Sequence, residues 1–190
     1  MTKFGLAQSV RRVEDPRLLK GGGRYTDDIV LPGMLHGIVV RSPHAAAKLG
    51  TIDTTAAASV AGVKAIYTAA DLSTDGIGPL PCAAPVQNRD GSDMANPPHL
   101  ALADGAVRHV GDPVAFVVAG TAAAARDAAE LISVDYTVQP STVDLAKATE
   151  GGAALVWPEA RNNIVFDWGI GDQAATEALF ASAAHVTRLT

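Results

Sequence analysis

The chain has 190 residues, 48% hydrophobic and 18% charged, with a formal net charge of −5. That composition is globular, long enough for one domain with a core or for one domain and part of a second, and too acidic to bind nucleic acid through a basic field. A single cysteine, Cys82, excludes an internal disulfide and a thiolate metal cage, and no apolar run reaches the about 18 residues of a membrane-spanning helix.

The first 24 positions form a basic arm. Lys3, Arg11, Arg12, Arg17, Lys20 and Arg24 are six of the fifteen basic residues, interleaved with Glu14 and Asp15. Such an arm is either solvated or docked on an acidic neighbour. It closes on Gly21-Gly22-Gly23, a flexible or positive-φ turn. No basic stretch runs into an apolar one here, so the expected location is cytoplasmic.

Tyr25 to Ile29 then reads as a short strand, and Leu31-Pro32-Gly33-Met34 as a turn. Leu35 to Arg41 carries the β-branched run of a buried strand. Asp53 or Thr54 is positioned to cap a short helix over Thr55 to Val60. Gly62 closes it, Val63 to Tyr67 is a strand, and Ala69 to Leu72 adds a helical turn. Residues 73–99 contain five prolines among Gly, Asp and Asn, and form a long irregular loop.

Order returns at Val107 to Val110. Gly111-Asp112-Pro113 is a tight turn, and Val114 to Ala119 an apolar strand. Thr121 caps a helix from Ala122 to about Ile132, and Ser133 to Val138 is a strand stopped by Pro140. Asp144 is placed to cap a short helix over Leu145 to Thr149. Asn163 to Trp168 reads as extended, Gly169 to Gly171 as a turn, and Asp172 as the cap of an apolar-faced helix. His185 to Thr190 has the character of a strand left unfinished. The Ala-rich helix, strand and Tyr-Thr of residues 55–68 is echoed in 124–137, which either duplication or convergence explains.

No chemistry assembles from spacing. The five histidines (His36, His44, His99, His109, His185) include no helical i, i+4 pair, and His44 reads as a structural turn residue. Gly21-Gly22-Gly23 lacks the rest of a phosphate loop, and Gly169-x-Gly171 is half of a dinucleotide fingerprint. Asp27 and Asp28 point to opposite faces if extended and are better placed in a solvated turn. Cys82 has no neighbouring charge to activate it. The sequence therefore assigns no catalytic, cofactor-binding or metal-binding residue. Alanine supplies much of the apolar content and buries little area, so the domain is expected to lean on partner surfaces.

Several stretches in order resemble one family. They are Arg12-Val13-Glu14-Asp15-Pro16-Arg17-Leu18-Leu19, Gly21 to Asp28, and Leu31-Pro32-Gly33-Met34-Leu35-His36. Val40-Arg41-Ser42-Pro43-His44-Ala45 and Ala61-Gly62-Val63 follow, then Val107 to Ala115 and Asp127 to Tyr136. Together they are similar to the start of the molybdenum-binding large subunit of the xanthine dehydrogenase and aldehyde oxidase family. The Val-Glu-Asp-Pro-Arg opening points to its carbon monoxide dehydrogenase large-chain branch.

The resemblance implies an α+β fold, an α/β-hammerhead domain of β-β-α-β-type units with mixed sheets. It divides the chain into the arm (1–24), the hammerhead domain (25–150, holding the loop 73–99), and a linker with the start of a truncated molybdopterin-binding domain (151–190). It implies no cofactor in this chain, a molybdopterin-type molybdenum cofactor in the complete enzyme, and iron–sulfur clusters and FAD on partner domains or subunits. The partners it implies are the remainder of the molybdenum-binding subunit and the iron–sulfur and flavin subunits, with no nucleic acid and no membrane; a homo-oligomer is also open. The chain is then the hammerhead portion of a molybdenum hydroxylase, without catalytic residues of its own. The alternative is a stand-alone, non-catalytic scaffold or interaction domain derived from such an enzyme.

Overall fold

A computed structural model describes residues 11–189. Its regular elements are α1 (Asp15–Leu18), β1 (His36–Arg41), β2 (Ala47–Asp53), α2 (Thr55–Ala58), β3 (Val63–Tyr67), α3 (Ala69–Thr74), β4 (Ala106–Val107), β5 (Pro113–Ala119), α4 (Ala122–Glu130), β6 (Ser133–Val138) and α5 (Gln173–Ser182). Six strands form two three-stranded sheets, ordered β1-β5-β3 and β4-β2-β6. Every pairing between these strands is antiparallel, which corrects the expectation of mixed sheets.

The order of elements repeats. β1-β2-α2-β3 is followed by β4-β5-α4-β6, two β-β-α-β units in which each central strand sits in the other unit's sheet. β5 lies between β1 and β3, and β2 lies between β4 and β6. The units are thereby interlocked by exchange of their second strands. Ile66 of β3 pairs with Val117, and Tyr136 of β6 pairs with Leu49.

The core lies where the exchanged strands meet the helices. Val114, Val117 and Ala119 of β5 are fully buried, as are Ala57 of α2 and Ala125 and Ala128 of α4. Ala57, Val117 and Ala128 form one cluster, and Ala47, Ala103, Val107 and Val114 another. Small side chains let the helices approach closely, and the Gly120 N–H donates to the Gly62 carbonyl at 2.9 Å. Gly37 on β1 makes room for the Phe116 ring of β5, which a Cβ there would overlap.

Several expectations are corrected. Tyr25 to Ile29 is a 3₁₀ turn (Thr26–Asp28), not a strand, because the Asp28 carboxylate accepts the Tyr25 N–H at 2.9 Å. Strand β2 carries few strand-forming residues and was not expected from the sequence. A bulge between Leu49 and Ile52 accommodates Gly50, whose Cβ would stand 3.0 Å from that of Asp135. Helix α2 stops at Ala58, and α4 stops at Glu130. Val107 to Val110 is strand at Val107 alone and then turns. Leu145 to Thr149 is a run of turns, started by Asp144 accepting the Ala146 N–H. Asn163 to Trp168 joins no named strand, and His185 to Leu189 is irregular, with Thr190 outside the described residues.

Candidate functional site

The quoted motifs of the two units converge on one junction. Arg41 ends β1, and Ser42-Pro43-His44 leads toward β2, while His109 to Asp112 joins β4 to β5. Ser42, 2% exposed, joins the two turns. Its N–H donates to the Asp112 carbonyl at 2.9 Å, and its own carbonyl accepts the Gly111 N–H at 2.8 Å. Its Oγ donates to the His44 carbonyl at 3.1 Å and accepts the His44 N–H at 3.0 Å. Arg41 Nη1 donates to the Gly111 carbonyl at 2.9 Å. Glycine is needed at 111, where φ is +89°.

Charged and aromatic groups complete this junction. The Asp112 carboxylate accepts the Arg108 N–H at 2.8 Å and lies 3.7 Å from His109 Nε2. The His44 ring meets Tyr136 of β6 edge-on, with centroids 4.9 Å apart. Burial pushes the Tyr136 phenol above its ordinary pKa. The Ser42 hydroxyl pulls it partly back, and the Asp112 charge adds to the rise. Beside the junction is a cleft of about 440 Å³ between the start of β2, the end of β4 and the strap that follows β6. Arg108 closes one side, its guanidinium 3.6 Å from the centre of the Trp157 ring. Asn163 holds the strap, donating to the carbonyls of Ala148 and Ala154 and accepting the Val156 N–H.

A second seam joins the Pro-rich loop to the extended run 163–168. Arg89 Nη2 meets the Asp167 carboxylate at 2.7 Å, and the Arg89 N–H donates to the Asp167 carbonyl at 2.8 Å. The Asp167 N–H reaches Asn88 Oδ1, and the Ala95 N–H reaches the Val165 carbonyl. No local pattern announces a pair 78 positions apart, so sequence reasoning missed it. Ser42 as a buried joint and the Arg108–Trp157 stack were missed for the same reason.

The remaining residues considered from sequence are scattered. His36 begins β1, His99 bridges to Leu80, and His185 lies against Thr187. Cys82 is exposed. Gly21 (φ +71°) and Gly22 close α1, their N–H groups donating to the carbonyls of Leu18 and Arg17. Gly169 packs on the Arg89 side chain, and Asp172 caps α5 by accepting the Ala175 N–H. Among the described residues, no group of three or more His, Cys, Asp or Glu is placed to hold a metal ion. The junction binds two turns and a third strand together, with the Ser42 hydroxyl engaged by the backbone of His44. It is suited to fixing the fold and to presenting an outer surface.

Comparison with known proteins is concordant. Residues 20–140 match the family model described as aldehyde oxidase and xanthine dehydrogenase, a/b hammerhead domain. The chain is 38% identical to the carbon monoxide dehydrogenase large chain of Afipia carboxidovorans, over 97% of its own length and 23% of that relative. It is 35% identical to the nicotine 6-hydroxylase large subunit of Paenarthrobacter nicotinovorans, over 98% of this chain and 22% of that one. A crystal structure of the Cu,Mo-CO dehydrogenase in its carbon monoxide reduced state superposes with a TM-score of 0.69 at 37% identity, covering 93% of this chain and 22% of that one. The chain thus spans less than a quarter of the length of these relatives.

Proposed function

This chain belongs to the aldehyde oxidase and xanthine dehydrogenase family, matching its a/b hammerhead domain, and from that premise we propose that it is the structural hammerhead portion of a molybdenum hydroxylase large subunit. The observation that carries this reading is the junction at Ser42. The motif residues Arg41, Ser42, His44, Gly111 and Asp112 hydrogen-bond to one another and hold the interlocked units together. They build a platform and do not converge on an open site.

The complete enzyme, in this proposal, holds a molybdopterin-type molybdenum cofactor on polypeptide outside these residues, with iron–sulfur clusters and FAD on partner domains or subunits. Among the described residues, the glycine-rich stretches are not placed to hold the molybdenum group. Gly21 and Gly22 are committed to ending α1, and Gly169 to packing on Arg89, so neither glycine-rich stretch presents a free cradle. No catalytic step is therefore routed through this chain. Residues 1–24 are the arm, 25–150 the hammerhead domain, and 151–190 the linker into the molybdenum-binding region. A cytoplasmic location belongs to the same proposal. The nicotine and carbon monoxide enzymes among the relatives leave the substrate, whether carbon monoxide, an aldehyde or an N-heterocycle, to residues elsewhere.

The test is complementation. A carbon monoxide dehydrogenase large chain deleted for its matching segment is co-expressed with this chain, and molybdenum content and turnover are measured on the purified assembly. Recovery of both, with no molybdenum on the chain purified alone, is the expected result. Stoichiometric molybdenum on the chain alone sinks the reading. A folded chain that never assembles with the deleted subunit favours a stand-alone scaffold.

A further inference from the structure

Within the Pro-rich loop, residues 87–93 form a built turn. Gln87 bridges to Asp93, and the Asn88 and Gly91 N–H groups donate to the carbonyls of Ser92 and Asn88, each at 2.9 Å. Gly91 supplies the left-handed step, with φ +83°. Asn88 Nδ2 donates to Ser92 Oγ and to the Asp93 carbonyl. Asp90 Oδ1 accepts both the N–H and the hydroxyl of Ser92. These side chains hold the turn, and Arg89 reaches outward from it.

Arg89 meets the linker on both sides of the Gly169–Gly171 turn. Before the turn, Nε and Nη2 donate to Asp167 Oδ1 at 3.0 and 2.7 Å. After it, Nη1 donates at 3.3 Å to Oε1 of Gln173, the first residue of α5. Between the two, the Arg89 side chain lies over Gly169, where a Cβ would stand 3.3 Å from Cδ and Nε. Backbone bonds set the register. The Arg89 N–H donates to the Asp167 carbonyl, the Asp167 N–H to Asn88 Oδ1, and the Ala95 N–H to the Val165 carbonyl. All of these contacts are made within the chain, so they do not depend on which surfaces a partner covers.

We propose that Arg89 is a positioning residue that braces a glycine hinge, Gly169-Ile170-Gly171, and so sets the direction in which α5 leaves the hammerhead domain. Two glycines in three positions give the backbone there wide freedom, and Gly171 uses it at φ +93°. A guanidinium carries its donors in fixed directions, so one side chain ties acceptors on either side of the hinge at a set separation. An ammonium has no such fork and holds one side only. An exposed ion pair contributes little to global stability, so the role of this one is geometric. The brace does not rest on the molybdenum reading, which supplies only what lies beyond α5.

Pulsed electron–electron double resonance on the full 190-residue chain tests it. Nitroxide labels are placed at Asp127→Cys on α4 and Ala178→Cys on α5, in a Cys82→Ser background. A single narrow distance distribution is expected. Arg89→Ala should about double its width, while circular dichroism and the denaturation midpoint stay unchanged. Arg89→Lys should widen it nearly as much, because charge without the fork does not span the hinge. Gln173→Ala, which keeps the Asp167 pair, should widen the distribution without altering amide exchange at Arg89, Ala95 and Asp167. Arg89→Ala should speed exchange at Ala95 and Asp167 about fivefold or more. A distribution already broad in the parent, or one that Arg89→Ala leaves narrow, overturns the proposal. So does a Lys variant as narrow as the parent, since charge alone would then suffice.

Discussion

The interlocked body from β1 to β6 and the segments flanking it contain similar apolar residues with opposite fates. In the body, Val107, Val114 and Val117 are at most 1% exposed. In the flanks, Leu19, Val143, Leu145, Ile170 and Leu179 are all more than two-thirds exposed. The difference is the strand exchange. Each body strand has helices or a neighbouring strand to cover it, so its apolar residues leave water and stabilise the fold. The flanks are shaped by turns, caps and backbone pairing such as Arg89 with Asp167, which fix a path without burying a face. Hydrogen bonds of this exposed kind contribute little net stability, because water competes for them.

The same polar substitution should therefore do opposite things in the two regions. Val117→Asp places a charge with no partner between α2 and α4, and is expected to cost about 4 kcal/mol or more. Chemical denaturation should show a collapse of the midpoint or no folded protein. Leu179→Asp on α5 should change global stability by less than about 0.5 kcal/mol. Equal losses at both positions would mean that α5 packs on the body, and the contrast would fail.

Much of the body was legible in the sequence because its signals are local. The β-branched run of β1, Gly62 beyond α2, Thr121 before α4 and Pro140 after β6 each act within a few residues of where they stand. The order of the quoted motifs also carried the family. What stayed hidden depends on distant partners. β2 is a strand because β4 and β6 flank it, not because Ala47-Lys48-Leu49-Gly50 favours extension. The interlocking of the units was invisible for the same reason. The platform at Ser42 joins residues 70 positions apart, such as Arg41 and Gly111, and its residue types announce no chemistry. Tyr25 to Ile29 misled in the other direction, since an Asp side chain three residues on outcompetes strand pairing.

Two helix caps sharpen the comparison at a smaller scale. Thr121 Oγ1 accepts the Ala124 N–H at 3.1 Å, and Asp172 Oδ1 accepts the Ala175 N–H at 2.9 Å. The local chemistry is alike, but α4 carries the buried Ala125 and Ala128 whereas α5 buries nothing. Thr121→Ala should lower the global unfolding free energy by about 1 kcal/mol. Asp172→Ala should leave it unchanged and instead speed amide exchange within α5, because an isolated helix of that length is marginal without its cap. Hydrogen exchange read alongside denaturation separates the two outcomes.

The smallest effect probes the junction itself through pH. Burial and the Asp112 charge hold the Tyr136 phenol above its ordinary pKa in the folded chain, against the partial pull of Ser42. The folded state thus keeps this proton to higher pH than the unfolded state does. Its contribution is fully present below the unfolded phenol's pKa, near 10, and is lost as pH rises through that value toward the folded one. Tyr136→Phe keeps the ring against His44 and removes the ionisation. The variant should show a shallower fall in melting temperature on the alkaline side than the parent, with little change in slope near neutrality. An unchanged alkaline slope would mean that Tyr136 ionises as freely folded as unfolded, and that the junction is wetter than its packing implies. The junction predicts the shallower slope, because burial first and the Asp112 charge second make the phenol resist ionisation in the folded state.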